Sequence, residues 1–221
     1  MTPPIPAPPL SAAPFRTPDP LGRPLDLAAT VADDPSPSFT PGDDDAIRSY
    51  YVAHGYVVVR GVVPLDRCQA ANDAFDAEVK PDPRPHYRLS GRPEHHELTA
   101  AGFMRDGIRD VQSIDPRRAP TMRAAGTAAV TDPTLTALIT SVLGEPGTVV
   151  QTMYFEGNPA TQPHQDTYYL DADDTGRMVA AWIATEDIAP GAGRFYVADG
   201  SHRAELPRNQ GEFAITDHHD R

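Results

Sequence analysis

Apolar positions recur with two different periods along this chain, first helical and then alternating. Over "DDDAIRSYYVAHG" the residues Ile47, Tyr50, Tyr51 and His54 share helical spacing, with acidic residues at the start and Gly55 at the end, which predicts a short helix. "YVVVR" follows as a β-branched run of strand type. "VPLDRCQAANDAFDAEVK" then predicts a second helix, entered at Pro64, with Leu65, Cys68, Phe75 and Val79 near one face. Residues 81–120 are charged and Pro-rich, with His86, His95 and His96 among them, and "EHHE" reads as a solvated loop rather than a metal patch. "TDPTLTALITSVLG" restores helical order: a cap residue, Pro133 in the first turn, Leu135, Leu138, Ile139 and Val142 on one face, and Gly144 past the end.

Beyond Gly144 the period becomes two. "TVVQTMYF" puts Val149, Gln151, Met153 and Phe155 on one face of a strand, and "MVAAWIATEDI" and "RFYVAD" continue as strands between "DADDTG", "APGAG" and "DGS" turns. Helices followed by short strands separated by turns predict a mainly β fold with packed helices, built on an antiparallel sandwich or barrel. No internal repeat is present.

Composition refines this outline. A length of 221 residues suits one domain with a substantial core. Of its 25 prolines, 12 fall in residues 1–41, which have little periodicity; that stretch reads as a disordered or polyproline-like leader, and residues 42–221 as the domain. The leader lacks a basic segment followed by an apolar run, and no stretch has the length of a membrane span, so a soluble cytoplasmic protein is expected. Cys68 is the only cysteine, which excludes internal disulfides and cysteine-based zinc sites; it reads as a small buried helix residue. A formal charge of -12 argues against nucleic-acid or anionic-membrane partners and leaves small molecules or proteins. Nothing in the sequence speaks to oligomeric state.

The chemistry centres on "ATQPHQDTYY". His164 and Asp166 follow a strand, in a segment made irregular by Gly157, Pro159 and Pro163, and precede another strand. Among 8 His and 23 Asp, chance alone supplies roughly one His-x-Asp, and the sequence holds a second copy, His218-His219-Asp220. Spacing therefore leaves two readings open, a shared metal or a polar loop. An extended His-x-Asp turns both side chains to one side, and with a third ligand such a pair forms the facial triad of non-heme Fe(II) oxygenases. Gln151 is a polar residue on an otherwise apolar face and needs a partner such as a bound carboxylate. Trp182 shares parity with Met178, Ala180 and Ala184, small neighbours that leave room beside it; Met153 and Trp182 read equally as pocket or as core.

The ordered wording "HGYVVVRGVVP", then "QTMYFEGNPATQPHQDTYY", then "AAWIATEDIAPGAGRFYVADGSHR" resembles the phytanoyl-CoA dioxygenase family of iron- and 2-oxoglutarate-dependent oxygenases over roughly residues 43–203. The resemblance implies a double-stranded β-helix of the cupin type (a jelly roll), with His164 and Asp166 as the first two iron ligands and Gln151, Met153, Gln165 and Trp182 lining a 2-oxoglutarate pocket. It implies Fe(II) as cofactor, 2-oxoglutarate and O2 as cosubstrates, and a small organic molecule hydroxylated or otherwise oxidised with release of succinate and CO2. Asp166 favours oxygenation over halogenation, since related halogenases lack this carboxylate. The family's "GSH" is matched by Gly200-Ser201-His202, where His202 and Arg203 read as loop-fixing residues rather than ligands.

Two family features are not recognisable here: a distal His on a late strand, and an Arg some ten residues beyond it that pairs with the far carboxylate of 2-oxoglutarate. His218 and His219, followed by Asp220 and Arg221, are the only later candidates and read as a surface loop. The closing strands of the jelly roll are likewise absent from the pattern, so the expectation is a chain truncated before them. The alternatives are an incomplete, non-catalytic jelly-roll module that binds a ligand, and a hydrolytic zinc site on the same pair.

Overall fold

The structure is a computed structural model that describes residues 15–18, 24–27, 34, 36–88, 90–157, 164–168, 170, 172–173, 176–188, 195–203, 208–209 and 212–213. In chain order these hold β1 (Phe15–Pro18), β2 (Pro24–Leu27), β3 (Ser38–Phe39), α1 (Asp44–His54), β4 (Val58–Val59), α2 (Leu65–Ala74), β5 (His86–Tyr87), β6 (Pro93–Glu94), β7 (Ile108–Arg109), α3 (Pro120–Val130), α4 (Pro133–Leu143), β8 (Met153–Tyr154), β9 (Arg208–Asn209) and β10 (Glu212–Phe213).

The expected first helix is α1. Asp44 and Asp45 stand in its first turn, where the helix dipole favours negative charge, and Gly55 ends it at φ 81° with its N–H on the Tyr51 carbonyl. The "YVVVR" run contributes only Val58–Val59, paired in parallel with Ser38–Phe39 of the Pro-rich leader. Phe39 packs against Tyr50 at 5.4 Å and Ser36 Oγ lies 2.9 Å from Tyr56 Oη, so the ordered unit reaches N-terminal of residue 42. Further upstream β1 and β2 pair as an antiparallel hairpin.

The second helix departs from its pattern. Leu65 is 87% exposed, because the helix begins there and its first side chain points outward. After Ala74 the α-helix widens into one π-helical turn, Phe75–Val79. Cys68, Ala71, Ala74, Phe75 and Val79 are all buried, the face that the helical spacing predicted, with Phe75 and Val79 carried by the π-helical turn. Burial also raises the Cys68 thiol above its ordinary pKa.

The stretch expected as a solvated loop is partly core. Met104, Ile108, Val111 and Ala119 join Ala74, Phe75, Val79 and Met122 in one apolar cluster. His86 is buried; within "EHHE" His95 is exposed, whereas His96 is half-buried with Nε2 2.9 Å from the Lys80 carbonyl. Helix α3 packs against α2, and Gly126 lets Val111 approach it: an added Cβ would lie 3.2 Å from Val111 Cγ2. Asp132 caps α4 by accepting from Thr134 N, and Gly144 closes it at φ 81°. Of the α4 apolar face Leu135 is buried, while Leu138, Ile139 and Val142 are half-buried.

The expected double-stranded β-helix is not seen among the described residues. Strands there pair only two by two, as β7 with β8 and β5 with β6, and no barrel closes. Residues 177–188 and 195–198, expected as strands, carry no ladder among the described residues. Alternation in one segment identifies a face, whereas a ladder also needs a partner in register. No helix among the described residues is long and apolar enough to cross a membrane.

Candidate metal centre

Strand β8 delivers the chain to the site and is anchored at its end. The Glu156 carboxylate is ion-paired with Lys80 and accepts from Met104 N at 2.5 Å, while Gly157 N donates to the Met104 carbonyl at 2.9 Å. Gly157 is required by close approach, since an added Cβ would lie 2.7 Å from Phe103 Cβ. Residues 158–163 lie outside the described residues.

The chain returns at His164, Gln165 and a single 3-10 turn, Asp166–Tyr168, closed by Leu170 N on the Asp166 carbonyl at 2.9 Å. His164 Nε2 and Asp166 Oδ1 are 3.2 Å apart, with the side chains 30% and 55% exposed. The His164 hydrogen bond holds the Asp166 carboxyl below its ordinary pKa, against the opposing effect of partial burial. Two donors each about 2.1 Å from one octahedral ion lie about 3 Å apart, so this nitrogen and oxygen have the separation and the chemistry of two adjacent ligands. Among the described residues no group of three or more His, Cys, Asp or Glu is arranged to hold a metal. His218, His219, Asp220 and Arg221 lie outside the described residues.

The other expected site residues are placed on separate segments. Gln165 Nε2 donates to the Ser201 carbonyl at 2.8 Å, so this side chain is engaged by the turn that carries His202. Met153 lies in β8 opposite Arg109 and is 45% exposed; Val149 and Phe155, of the same parity, are also exposed, and Gln151 is half-buried. The buried side of this strand is the opposite one: Thr152 is buried and Tyr154 packs on Phe75 at 4.5 Å. Trp182 stacks on Phe195 at 5.7 Å with its plane 27° away. His202 and Arg203 bond the Val52 carbonyl, as loop-fixing residues do.

Residues around the site that the pattern did not single out are Glu156, Lys80, Asn72 and the His54–Asp199 pair. Glu156 alone carries a sequence signal, a charge at a strand end directly before Gly157. Two hollows elsewhere, of about 410 Å³ beside Pro120 and Thr127 and about 190 Å³ beside His86 and Arg118, include neither His164 nor Asp166.

A family model described as Phytanoyl-CoA dioxygenase (PhyH) matches residues 51–221. The bovine "Phytanoyl-CoA dioxygenase domain-containing protein 1" is 26% identical over 185 residues, covering 70% of this chain and 64% of the relative. The protein of that name from Rattus norvegicus is 35% identical over 80 residues, 34% of this chain and 28% of the relative, and the Mus musculus one is 34% identical over 80 residues. The chain thus spans less than two thirds of the length of these relatives. No solved structure matches it.

Proposed function

The chain belongs to the phytanoyl-CoA dioxygenase family, and from that membership we propose that it is an Fe(II)- and 2-oxoglutarate-dependent dioxygenase that hydroxylates or otherwise oxidises a small organic molecule. Members of the family are generally dioxygenases of this kind. The observation that carries the reading for this chain is the 3.2 Å separation of His164 Nε2 and Asp166 Oδ1 just past an anchored strand end. On this reading the pair sits at the mouth of a cupin-type jelly roll to which β7, β8 and residues 177–188 contribute.

Bound iron with 2-oxoglutarate supplies the power to activate O2, yielding succinate and CO2. The protein's part is to hold that iron and shape its surroundings. His164 offers an imidazole nitrogen. Asp166, anionic throughout the neutral range, offers the charge that offsets a divalent cation. Glu156, gripped by Lys80 and Met104 N, fixes where the ligand-bearing segment leaves the sheet. Met153 and Trp182 present apolar surface that excludes water from a bound cosubstrate.

Anaerobic Fe(II) titration of the chain, followed by O2 uptake with 2-oxoglutarate, tests this. Asp166→Ala is expected to weaken Fe(II) binding by more than about 100-fold and to abolish coupled turnover while leaving the fold unchanged. Equal Fe(II) affinity in the wild type and in Asp166→Ala would overturn the metal reading and leave a non-catalytic binding module.

A further inference from the structure

Helix α1 ends in a turn that grips a segment distant in sequence. His54 Nδ1 lies 2.8 Å from Asp199 Oδ1, a pair separated by 145 residues. Gly200 N donates to the His54 carbonyl at 2.9 Å, and His202 Nε2 and Arg203 Nη2 donate to the Val52 carbonyl at 3.2 and 3.4 Å. Carbonyls in the last turn of a helix lack intrahelical partners, and these donors satisfy two of them. Arginine is also suited to the negative end of the helix dipole. Gly55 permits the approach: its φ is +81°, and an added Cβ would lie 2.3 Å from His202 Nδ1. Tyr50 stacks on His54 at 4.1 Å and sets the plane of the ring that faces Asp199.

The same turn also bonds the residue between the two members of the candidate metal pair. The Ser201 carbonyl accepts from Gln165 Nε2 at 2.8 Å, and Gln165 is the residue between His164 and Asp166. A carbonyl can only accept, so it also fixes which end of the Gln165 amide faces it. The side chain that the family resemblance assigns to the cosubstrate pocket is therefore committed to the protein itself.

We propose that residues 199–203 form a clasp between the C-terminal end of α1 and the His164/Asp166 pair, and that Gln165 is a positioning residue holding the backbone between the two ligands. The proposal rests on the metal reading of that pair. Groups that orient ligands from behind govern affinity without touching the ion.

The test compares the full chain with Asp199→Ala, Gln165→Leu and the double variant, by anaerobic Fe(II) titration and by amide hydrogen exchange of the metal-free protein. Each single variant is expected to weaken Fe(II) binding about 10-fold, and the double variant no more than the weaker single, because both cuts break one linkage. Exchange at residues 164–168 is expected to speed up several-fold in both single variants. Additive losses of affinity, or unchanged exchange at residues 164–168, would overturn the clasp. If the wild type binds no Fe(II), the metal reading fails by itself, and the exchange comparison still decides whether the clasp holds this segment.

Discussion

Tyr154 Oη donates to Asn72 Oδ1 at 2.8 Å, and the nitrogen of the same amide donates to the Thr185 carbonyl at 3.0 Å. One helix side chain thus ties β8 to residues 177–188, two segments that share no ladder among the described residues. Burial, then the nearby Asp76 and Glu156 carboxylates, raise the Tyr154 phenol above its ordinary pKa and keep it a donor. Asn72→Leu leaves a hydroxyl and a carbonyl unpaired at a half-buried seam, at an expected cost of about 2 to 4 kcal/mol. Urea unfolding measures it; a loss under about 0.5 kcal/mol would mean that packing, not the amide, joins the segments.

Asp132 joins three helices through one buried carboxylate. Its Oδ1 accepts from Thr134 N at 2.8 Å as the α4 cap, and its Oδ2 accepts from Arg67 Nη1 at 2.6 Å; Arg67 also bonds the Ala128 carbonyl at 3.2 Å. Asp132 is 2% exposed, whereas Arg67 is exposed enough to be rehydrated if released. Asp132→Ala removes cap and ion pair together and is expected to cost about 2 to 4 kcal/mol, with Asp132→Asn, which retains the cap, costing clearly less. Equal losses in denaturant melts would show that the cap contributes nothing.

Capped helices were legible because their signals are local. Pro133 with Asp132 before it and Gly144 after it set α4, and Asp44, Asp45 and Gly55 set α1. Helix α3 was not legible: in "PTMRAAGTAAV" Met122 is the only large buried residue, and its contact face is otherwise built of Gly126 and Ala129, which give no apolar period. The π-helical turn at Phe75–Val79 leaves no mark in the sequence, since the apolar spacing through it is that of an ordinary helix. In the site, the His164–Asp166 approach was readable from two residues that are neighbours in sequence. The clasp was not, because a His54–Asp199 contact depends on chain path rather than on any local pattern.

His86 should give the protein an acid limb. The ring is 5% exposed, 3.4 Å from Arg118 Nη2 and 4.0 Å from Asp82 Oδ2. Burial first, then Arg118, pushes its pKa down to about 4; His96 and Arg88 add to this and Asp82 opposes it. The unfolded chain takes up this proton near its ordinary value of 6.5 and the native protein only near 4. Stability from this group is therefore complete above about pH 6.5 and lost as pH falls toward about 4, at up to about 1.4 kcal/mol per unit. Replacing the group as His86→Phe should flatten the slope, so that the variant loses about 1 to 2 kcal/mol less than the wild type between pH 7 and pH 5. Parallel stability curves across that window would rule out His86 as the source.

Trp182 offers a probe of the proposed cosubstrate pocket. It is the only tryptophan, it is 48% exposed, and it stacks on Phe195 at 5.7 Å. Ala180 and Ala184 share its parity and are exposed, while Ile183 and Thr185 are half-buried, Thr185 through the Asn72 bond. The indole therefore stands on the open side of its segment, free to receive a ligand and visible to fluorescence. If it borders the cosubstrate, 2-oxoglutarate added anaerobically with Fe(II) should quench or shift its emission, and Asp166→Ala should remove that response. Trp182→Phe preserves an aromatic stack with Phe195 and should keep the fold, yet weaken 2-oxoglutarate by about 1 kcal/mol or more through lost contact area. An emission spectrum unchanged at cosubstrate concentrations that saturate O2 uptake would place Trp182 away from the pocket and leave the stack a purely structural contact.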